Sequence, residues 1–162
     1  MFENNLVSII MNCYNGEKYL QEAVDSVIAQ IYQKWEIIFW DNQSTDSSAK
    51  IFQNYEDTRL KYFLAPEHTN LSEARKLAIE QASGEYFAFL DVDDWWDTKK
   101  LEKQMSCFND PEVGLVYGNF WYVDEENGIQ YISHRNLLPS GYLTDDLLKK
   151  YCVGLLSIII RK

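Results

Sequence analysis

The sequence has few cysteines, and their number and spacing argue against a zinc-binding domain and against a disulfide-stabilised domain. Its three cysteines, an odd number, are Cys13, Cys107 and Cys152, and no two of them are close enough to form a zinc-ligand pair. No apolar segment approaches the length of a membrane span, and the N-terminus lacks a basic region followed by a hydrophobic core. These absences predict free thiols and a soluble, cytoplasmic protein.

Basic residues are scarce relative to acidic ones. The chain has 15 Lys and Arg against 25 Asp and Glu, which gives a net charge of -10. This balance argues against a nucleic-acid partner, because binding to a phosphate backbone depends on Lys and Arg. An anionic ligand would have to be met locally, by a cation, by a few Arg or Lys side chains, or by backbone N–H groups.

Linker-like segments and internal repeats are also lacking. The 162 residues include only 7 Gly and 3 Pro, and no stretch rich in Pro, Gly or Ser divides them. With 46% hydrophobic and 15% aromatic residues, the composition is that of a folded protein. We therefore predict a single domain over residues 1–162.

Short apolar runs alternate with amphipathic segments along most of the chain. The runs predict strands over Leu6–Met11, Trp35–Trp40, Leu60–Leu64 and Tyr86–Leu90. The amphipathic segments predict helices over Glu17–Gln30 and Ser47–Tyr55, from Leu71 or Ser72 to about Ala82, and over Lys99–Phe108. Such alternation indicates an α/β fold with a mainly parallel sheet flanked by helices.

The last third of the chain has a less regular pattern. It predicts a strand over Val113–Tyr122, a turn over Asp124–Gly128, a hairpin strand over Ile129–Ser133, a helix over Thr144–Cys152 and a strand over Leu155–Lys162. Because an apolar strand stands at the very end, we expect a chain truncated at its C-terminus. The uncovered edge of that strand would favour self-association.

The most informative segment is an apolar run that breaks on carboxylates. Tyr86 to Leu90 is followed by Asp91, Asp93 and Asp94. Unpaired charges cannot continue inside a buried layer, so they emerge at the C-terminal end of the strand, where open α/β sheets place their ligand crevice. Crowded oxygen ligands suit Mg²⁺ or Mn²⁺ beside substrate phosphates. The alternative is a solvated acidic turn after an edge strand.

Two further polar segments follow predicted strands. Asn12–Gly16 has turn chemistry after the first strand, and Asp41–Asp46 follows the second. Parallel strands end at one edge of their sheet, so both segments should meet the acidic stretch there. The sequence thus predicts a nucleotide-type pocket built from three strand-end loops.

Taken together, these segments resemble glycosyltransferase family 2, inverting enzymes with a Rossmann-like GT-A fold that use nucleotide-diphosphate sugars. The matching segments are Val7–Ile10 with Tyr14–Gly16, Leu20–Ser26 with Gln30, Trp35–Ile38 with Asp41 and Ser44–Asp46, Leu71–Ser72 with Ala74–Arg75, Ala82 with Gly84–Tyr86, and Leu90–Asp94 with Lys100–Leu101. Each segment alone is weak, whereas the ordered set is specific.

The resemblance implies a nucleobase site after the first two strands. Tyr14, with Asn15 beside it, would lie against the base, and Asp41 would accept a hydrogen bond from a uracil-type base. As a strand-end side chain, Asp41 should be dispensable for folding. The chain departs from the family here, since Asn42 and Gln43 stand where a second Asp and a Gly are usual.

The resemblance also implies a diphosphate and metal site around the acidic stretch. Arg75 would approach the diphosphate or the base, Asp91 would hold the ribose or a metal-bound water, and Asp93 would bind Mg²⁺ or Mn²⁺ with Asp91 as the second metal residue. Asp94 and Trp95 would shape the side that faces the sugar and the acceptor. The alternative roles are a solvated Arg for Arg75 and plain packing for Trp95.

The catalytic base is not assigned from the sequence. The family takes it from an Asp or Glu further along the chain, which here would lie downstream of Lys162. Asp124–Glu126 and Asp145–Asp146 stand in other contexts, a hairpin turn and a helix start. Within the chain, Asp94 is the remaining candidate.

These roles imply a metal-dependent transferase that moves a sugar from a UDP-sugar to a glycan or lipid-linked acceptor with inversion. Residues 1–105 would bind the donor, and residues 113–162 would begin the acceptor region. Attachment to the inner face of the membrane is left open. So is one alternative function, a donor-binding module without efficient catalysis. A nucleotidyltransferase is disfavoured because Asn12–Lys18 has only one Gly and one Lys, and a phosphoacceptor domain is disfavoured because the acidic stretch follows the fourth strand.

Overall fold

A six-stranded sheet forms the centre of the structure, a computed structural model that describes residues 5–149 and 153–162. Its strands are β1 (Val7–Cys13), β2 (Trp35–Asp41), β3 (Leu60–Leu64), β4 (Tyr86–Phe89), β5 (Leu115–Val116) and β8 (Ile159–Arg161), and a separate hairpin contains β6 (Trp121–Asp124) and β7 (Ile129–Ile132). The order across the sheet is β3-β2-β1-β4-β8-β5. Strands β1 to β4 are parallel, and β8 runs antiparallel to both of its neighbours.

The helices are α1 (Leu20–Ile28), α2 (Ser48–Gln53), α3 (Leu71–Glu80), α4 (Lys100–Cys107) and α5 (Thr144–Lys149), and a 3₁₀ turn covers Leu155–Ser157. Helices α1, α2 and α4 pack on one face of the sheet, against Ile9 and Met11 of β1 and their neighbours. Helix α3 packs on the other face, against Ile10 and its neighbours. The predicted α/β class and mainly parallel sheet are confirmed, because two buried faces require the continuous apolar strands that the sequence shows.

The predicted elements of the first hundred residues are all present, and most of their ends shift by one to three residues. Strand β1 continues through Cys13, because its last two residues pair with Trp40 and Asp41 of β2. Asn12 therefore lies in the strand and not in a turn. Helix α1 begins at Leu20 and not at Glu17, after a turn in which Tyr19 N and Leu20 N both donate to Gly16 O, at 3.2 and 3.1 Å.

The predicted strand over Val113–Tyr122 is wrong as one element. The structure divides it into β5, at the edge of the sheet, and β6, in the separate hairpin. Asn119 lies between them, and its side-chain amide donates to His134 O at 2.5 Å and accepts from His134 N at 3.1 Å. These two bonds hold Asn119 against the segment that follows β7. The predicted helix over Thr144–Cys152 is described as far as Lys149, and its last three positions lie outside the described residues.

The prediction of an uncovered terminal strand is also wrong. Ser157 N and Oγ both donate to Gly154 O, at 2.9 and 2.7 Å, so the segment first forms a 3₁₀ turn. Strand β8 then lies between β4 and β5 and pairs with both. It offers no free edge for self-association. In residues 5–149 and 153–162, no helix is long and apolar enough to cross a membrane.

A buried carboxylate connects the strands at the N-terminal end of the sheet. Glu36 of β2 is 3% exposed. It accepts hydrogen bonds from the Ser8 hydroxyl at 2.6 Å and from Ser83 N at 2.8 Å, and Lys61 Nζ lies 2.5 Å from its other oxygen. The Ser8 hydroxyl in turn accepts from Gly84 N at 2.8 Å. One side chain thus links β1, β2, β3 and the turn before β4.

The pKa of Glu36 reflects this network. Burial alone would raise the pKa, but the hydrogen bonds from Lys61, Ser8 and Ser83 together hold it below its ordinary value of 4.5. A carboxyl whose pKa is lower in the folded state stabilises the fold above its unfolded pKa, and this contribution is lost as the pH falls through the folded value.

Glu36→Gln should therefore destabilise the protein by about 2–3 kcal/mol near neutral pH, because Lys61 loses its charged partner. The difference from wild type should begin to shrink as the pH falls below the unfolded pKa of about 4.5, and it should be lost once the pH has fallen through the lower folded pKa, where the wild-type carboxyl is neutral too. Urea unfolding across this pH range measures both effects. Glu80→Gln, at an exposed position of α3, is the control and should change little at any pH. A Glu36→Gln protein as stable as this control near neutral pH would contradict the assignment.

Candidate functional site

The loops that follow β1 and β2 are held together by hydrogen bonds. Asn15 Oδ1 accepts from Thr45 N at 2.8 Å, and Asn15 N donates to Ser44 Oγ at 3.1 Å. Gly16 N donates to Ser48 Oγ at 2.9 Å. Asn15 adopts a φ of 55°, a left-handed conformation that asparagine tolerates well. The side chain of Asn15 thus positions the second loop, and its contact with a nucleotide stays a prediction.

Asp41 is buried, contrary to the expectation of a dispensable strand-end side chain. It is 1% exposed. Its Oδ1 accepts from Ser44 N at 2.7 Å, and its Oδ2 accepts from the Tyr62 hydroxyl at 2.7 Å. Burial, followed by this bond, raises the pKa of Tyr62 above its ordinary value. Asp41 shares the α1 and α2 side of the sheet with Phe39, two residues earlier. A contact between Asp41 and a nucleobase stays a prediction.

A cavity opens on the other side of the sheet, between the ends of β1 and β2 and the start of α3. Its volume is about 240 Å³, and its lining residues are Asn12, Cys13, Tyr14, Asn42, His68, Thr69, Asn70, Leu71 and Ala74. Tyr14 is 54% exposed, and its ring lies 4.4 Å from that of His68 between centroids. The cavity therefore has an aromatic rim, where a flat ligand can stack.

One wall of the cavity is fixed by a pair of reciprocal hydrogen bonds. Asn42 Nδ2 donates to Thr69 O at 2.7 Å, and Asn42 Oδ1 accepts from Thr69 N at 3.1 Å. His68 Nδ1 donates to Asn42 O at 2.9 Å. A carboxylate could only accept, so an Asp at position 42 could not make the first bond. This explains the departure from the family at Asn42.

The second departure, Gln43, has a φ of 69°. Left-handed backbone at a residue other than Gly costs roughly 1–2 kcal/mol, which explains why Gly is usual here. Gln43 offsets part of that strain, because its side-chain amide donates to Ala65 O.

Asn12 lines the cavity, although the sequence pattern does not predict it as a ligand contact. It is 9% exposed, and neither Oδ1 nor Nδ2 has a hydrogen-bond partner among the described residues. The available signal was its position: two residues after Ile10, it falls on the α3 face if the strand continues. A turn over Asn12–Gly16, as predicted, would not have that alternation.

The acidic turn, Asp91–Asp94, comes after β4 and lies beside the loop after β1. A Cβ built on Gly16 would lie 2.7 Å from Val92 Cγ2, so only Gly allows this approach. Asp94 N donates to Asp91 O at 3.1 Å and closes the turn. Arg75 of α3 pairs with Asp91, with 2.9 Å between Nη2 and Oδ1. The structure thus brings Arg75 and the acidic turn together.

The acidic turn carries more negative than positive charge. Arg75 is paired with Asp91, whereas Asp93 and Asp94 have no ion pair among the described residues. Burial, and then the charges of Asp93 and Asp91, raise the pKa of Asp94 to about 6. No group of three His, Cys, Asp or Glu among the described residues is arranged around a metal position. Magnesium is commonly held by one or two carboxylates together with substrate phosphates, and the turn fits that mode.

The segment after the acidic turn is anchored by buried polar contacts. Trp96 Nε1 donates to Leu156 O at 3.0 Å, and Gln104 Nε2 donates to Ser157 O at 2.7 Å. Lys100 Nζ donates to Gln104 Oε1 at 2.6 Å and lies 4.0 Å from the centre of the Trp96 ring, and burial lowers the pKa of Lys100 to about 7. Trp96 therefore serves packing, whereas the neighbouring Trp95 is exposed.

The architecture matches the GT-A fold of glycosyltransferases. TarS of S. aureus, solved in complex with UDP-GlcNAc, superposes with a TM-score of 0.79 over 96% of this chain and 45% of the TarS chain, at 22% identity. The TarS complex with UDP is 27% identical, with a TM-score of 0.64 over 67% of this chain and 33% of that chain. A mannosyltransferase from Pyrobaculum calidifontis, solved with GDP-Man and Mn²⁺, is 25% identical, with a TM-score of 0.65 over 72% of this chain and 36% of that chain.

The sequence matches glycosyl transferase family 2 over residues 8–161, and the chain belongs to that family. Among curated relatives, the Escherichia coli UDP-Glc:alpha-D-GlcNAc-diphosphoundecaprenol beta-1,3-glucosyltransferase WfgD is 31% identical over 158 residues. The match covers 98% of this chain and 61% of WfgD, so the chain spans less than two thirds of that relative's length.

Asp41→Ala should destabilise the protein by about 2–4 kcal/mol, because it leaves Ser44 N and the Tyr62 hydroxyl without their acceptor in a buried place. Tyr62→Phe removes one of the two bonds and should lose about 1 kcal/mol. Denaturant unfolding measures both. Asp93→Ala, at an exposed position, is the control and should change stability little. Equal stability of Asp41→Ala and Asp93→Ala would contradict the structural role of Asp41.

Proposed function

We propose that this chain is the donor-binding part of an inverting, metal-dependent glycosyltransferase that uses a UDP-sugar. The observation that carries the proposal is the pairing of two sites at one edge of the sheet. A half-open cavity rimmed by Tyr14 lies beside a charged turn with Arg75 and Asp93. This pairing suits a ligand with a flat base at one end and a diphosphate at the other.

The chemistry of the donor matches the side chains of the turn. Arg75 would hold the diphosphate, because a guanidinium forms paired hydrogen bonds to phosphate oxygens. Asp93 and Asp91 would hold the divalent ion. Such an ion, when bound, supplies Lewis-acid stabilisation of the charge that develops on the leaving diphosphate. Asp94 and Trp95 would face the sugar.

The choice of uridine rests on the relatives. TarS is solved with UDP, and the name of WfgD gives UDP-Glc as its donor. The archaeal mannosyltransferase, solved with GDP-Man, shows that the fold also serves a purine donor. A direct comparison of nucleotides therefore decides the base.

The catalytic base completes the proposal. Inverting transfer requires a carboxylate that deprotonates the acceptor hydroxyl in line with the leaving group. We propose a base downstream of Lys162, with Asp94 as the alternative within the chain. For the acceptor we propose a glycan or a lipid-linked sugar, by analogy with the name of WfgD, with transfer at the cytoplasmic face of the membrane.

UDP should bind with Mn²⁺ and bind at least about tenfold more weakly with EDTA or in Asp93→Asn, because the diphosphate then meets the carboxylates without a counter-ion. Calorimetric titration measures the three affinities. Asp145→Asn, the same chemical change at an exposed residue of α5, is the control and should keep wild-type affinity. Equal affinity in all conditions would remove the metal from the proposal, and no UDP binding at all would overturn it.

A further inference from the structure

A buried glutamine just after α1 holds the segment that follows the acidic turn. Gln30 is 1% exposed. Its Nε2 donates to Asp97 O at 2.8 Å and to Ser26 O at 3.0 Å, and its Oε1 accepts from Leu101 N at 3.0 Å. Both hydrogens of the amide and its oxygen are therefore used. The side chain joins the end of α1 to the start of α4, which is distant along the chain.

Two neighbouring contacts anchor the same segment to the same part of the chain. Trp96 N donates to Ser26 Oγ at 3.2 Å, and Ile31 N donates to Thr98 O at 3.0 Å. With the two bonds that Gln30 makes to this segment, four of its backbone groups are fixed. Gln30 contributes more of these bonds than either neighbour.

The acidic turn lies between this anchored segment and the end of β4. Leu90 N donates to Ile10 O at 3.1 Å, so the chain enters the turn from a strand held in the sheet. Within the turn, Asp94 N donates to Asp91 O at 3.1 Å. Trp96, two residues past the turn, is the first anchored group on the far side. The turn therefore connects two fixed points.

The charges of the turn work against its closed shape. Asp93 and Asp94 have no ion pair among the described residues, and neighbouring carboxylates repel each other. A turn that was fixed only at β4 could relieve this repulsion by opening. Anchoring its far end opposes that movement. Carboxylates that are already held in place bind an ion with a smaller loss of conformational freedom.

We infer that Gln30, with Ser26 beside it, is a positioning residue that keeps the acidic turn arranged for a divalent ion. This rests on the proposed function, in which Asp93 and Asp91 hold that ion. Gln30 would touch neither the ion nor the nucleotide, because its side chain is buried between the end of α1 and the start of α4. Its effect should therefore appear in the metal-dependent part of nucleotide affinity.

Gln30→Met is the test, since methionine has a similar length and lacks the amide. UDP affinity should fall roughly tenfold with Mn²⁺ and less than about twofold with EDTA, because residues that orient metal ligands affect mainly the bound ion. In an Asp93→Asn background the same change should have no further effect on UDP affinity, because the ion site is already lost. Calorimetric titration well below each melting temperature measures these affinities.

Hydrogen exchange in the metal-free protein gives a second readout. The partner of the Asp94 amide is Asp91 O and not Gln30, so loss of the glutamine affects this amide only through the turn. Exchange at Asp94 should be at least about threefold faster in Gln30→Met, because the turn opens more often. Glu36→Gln is the stability control at the opposite end of the sheet. It should lower the melting temperature and leave the gain from Mn²⁺ and the Asp94 exchange as in wild type.

A Gln30→Met protein that only melts at a lower temperature would overturn the inference. Its gain from Mn²⁺ and its Asp94 exchange would then match those of wild type, and Gln30 would serve stability alone. If Gln30→Met does not fold, Ser26→Ala decides by the same two measurements, because it removes only the acceptor of Trp96 N and a bond within α1. Its effects should have the same direction and about a third of the size. Unchanged values would overturn the inference.

The wild-type titration separates this inference from the proposed function. If wild type gains affinity from Mn²⁺ and Gln30→Met gains the same factor, the proposed function stands and the inference falls. If wild type binds UDP equally with Mn²⁺ and EDTA, or not at all, the proposed metal fails, and Asp94 exchange alone decides. Faster exchange in Gln30→Met would then retain Gln30 as the residue that orders the turn, and unchanged exchange would overturn it.

Discussion

The buried Glu36 carboxylate links the strands at the N-terminal end of the sheet, and the candidate site at the C-terminal end depends on that link. Its bonds to Ser8, Ser83 and Lys61 fix the register of β1, β2 and β3 and the entry into β4. A strand that slips by one residue turns every side chain to the opposite face. Such a slip in β1 would move Asn12 from the cavity to the α1 side. Polar pairing at the N-terminal end of the strands therefore supports the site at their C-terminal end, where β1, β2 and β3 end level and the loops meet.

Polar groups at that edge fall into two sets with different tasks. The first set is satisfied within the protein and builds the frame: Asn15 holds the neighbouring loop, Asp41 fastens β2 to β3, and Asn42 holds the loop before α3. The second set is open and faces the cavity or solvent, with Asn12 in the cavity wall and Asp93 in the acidic turn. Residue type alone does not separate the sets, because both contain amides and carboxylates. Only their partners in the fold do.

That distinction explains how far the sequence could predict the structure. The first four strands, their helices and the convergence of three loops follow from apolar periodicity, which reflects contacts local in sequence. The terminal strand β8 could not be placed, because its position between β4 and β5 depends on pairing between residues distant in sequence. The site was predicted to the level of loops. The buried hydrogen bond of Asp41 is to Tyr62, a partner on another strand. The place of Asn12 in the cavity wall depends on where β1 ends, and that end is set by pairing with β2.

The acidic turn and the cavity differ in charge, and this difference suits them to different parts of a ligand. A chain with a net charge of -10 and a turn rich in carboxylates repels a diphosphate unless a cation intervenes, and Arg75 is already paired with Asp91. The cavity, in contrast, is lined by amides, small apolar groups and aromatic rings. Under the proposed function, affinity for any nucleoside diphosphate should thus depend on the ion and on Arg75, because both would contact the diphosphate that these nucleotides share. Discrimination between bases should depend on neutral hydrogen-bonding groups, which a counter-ion does not replace.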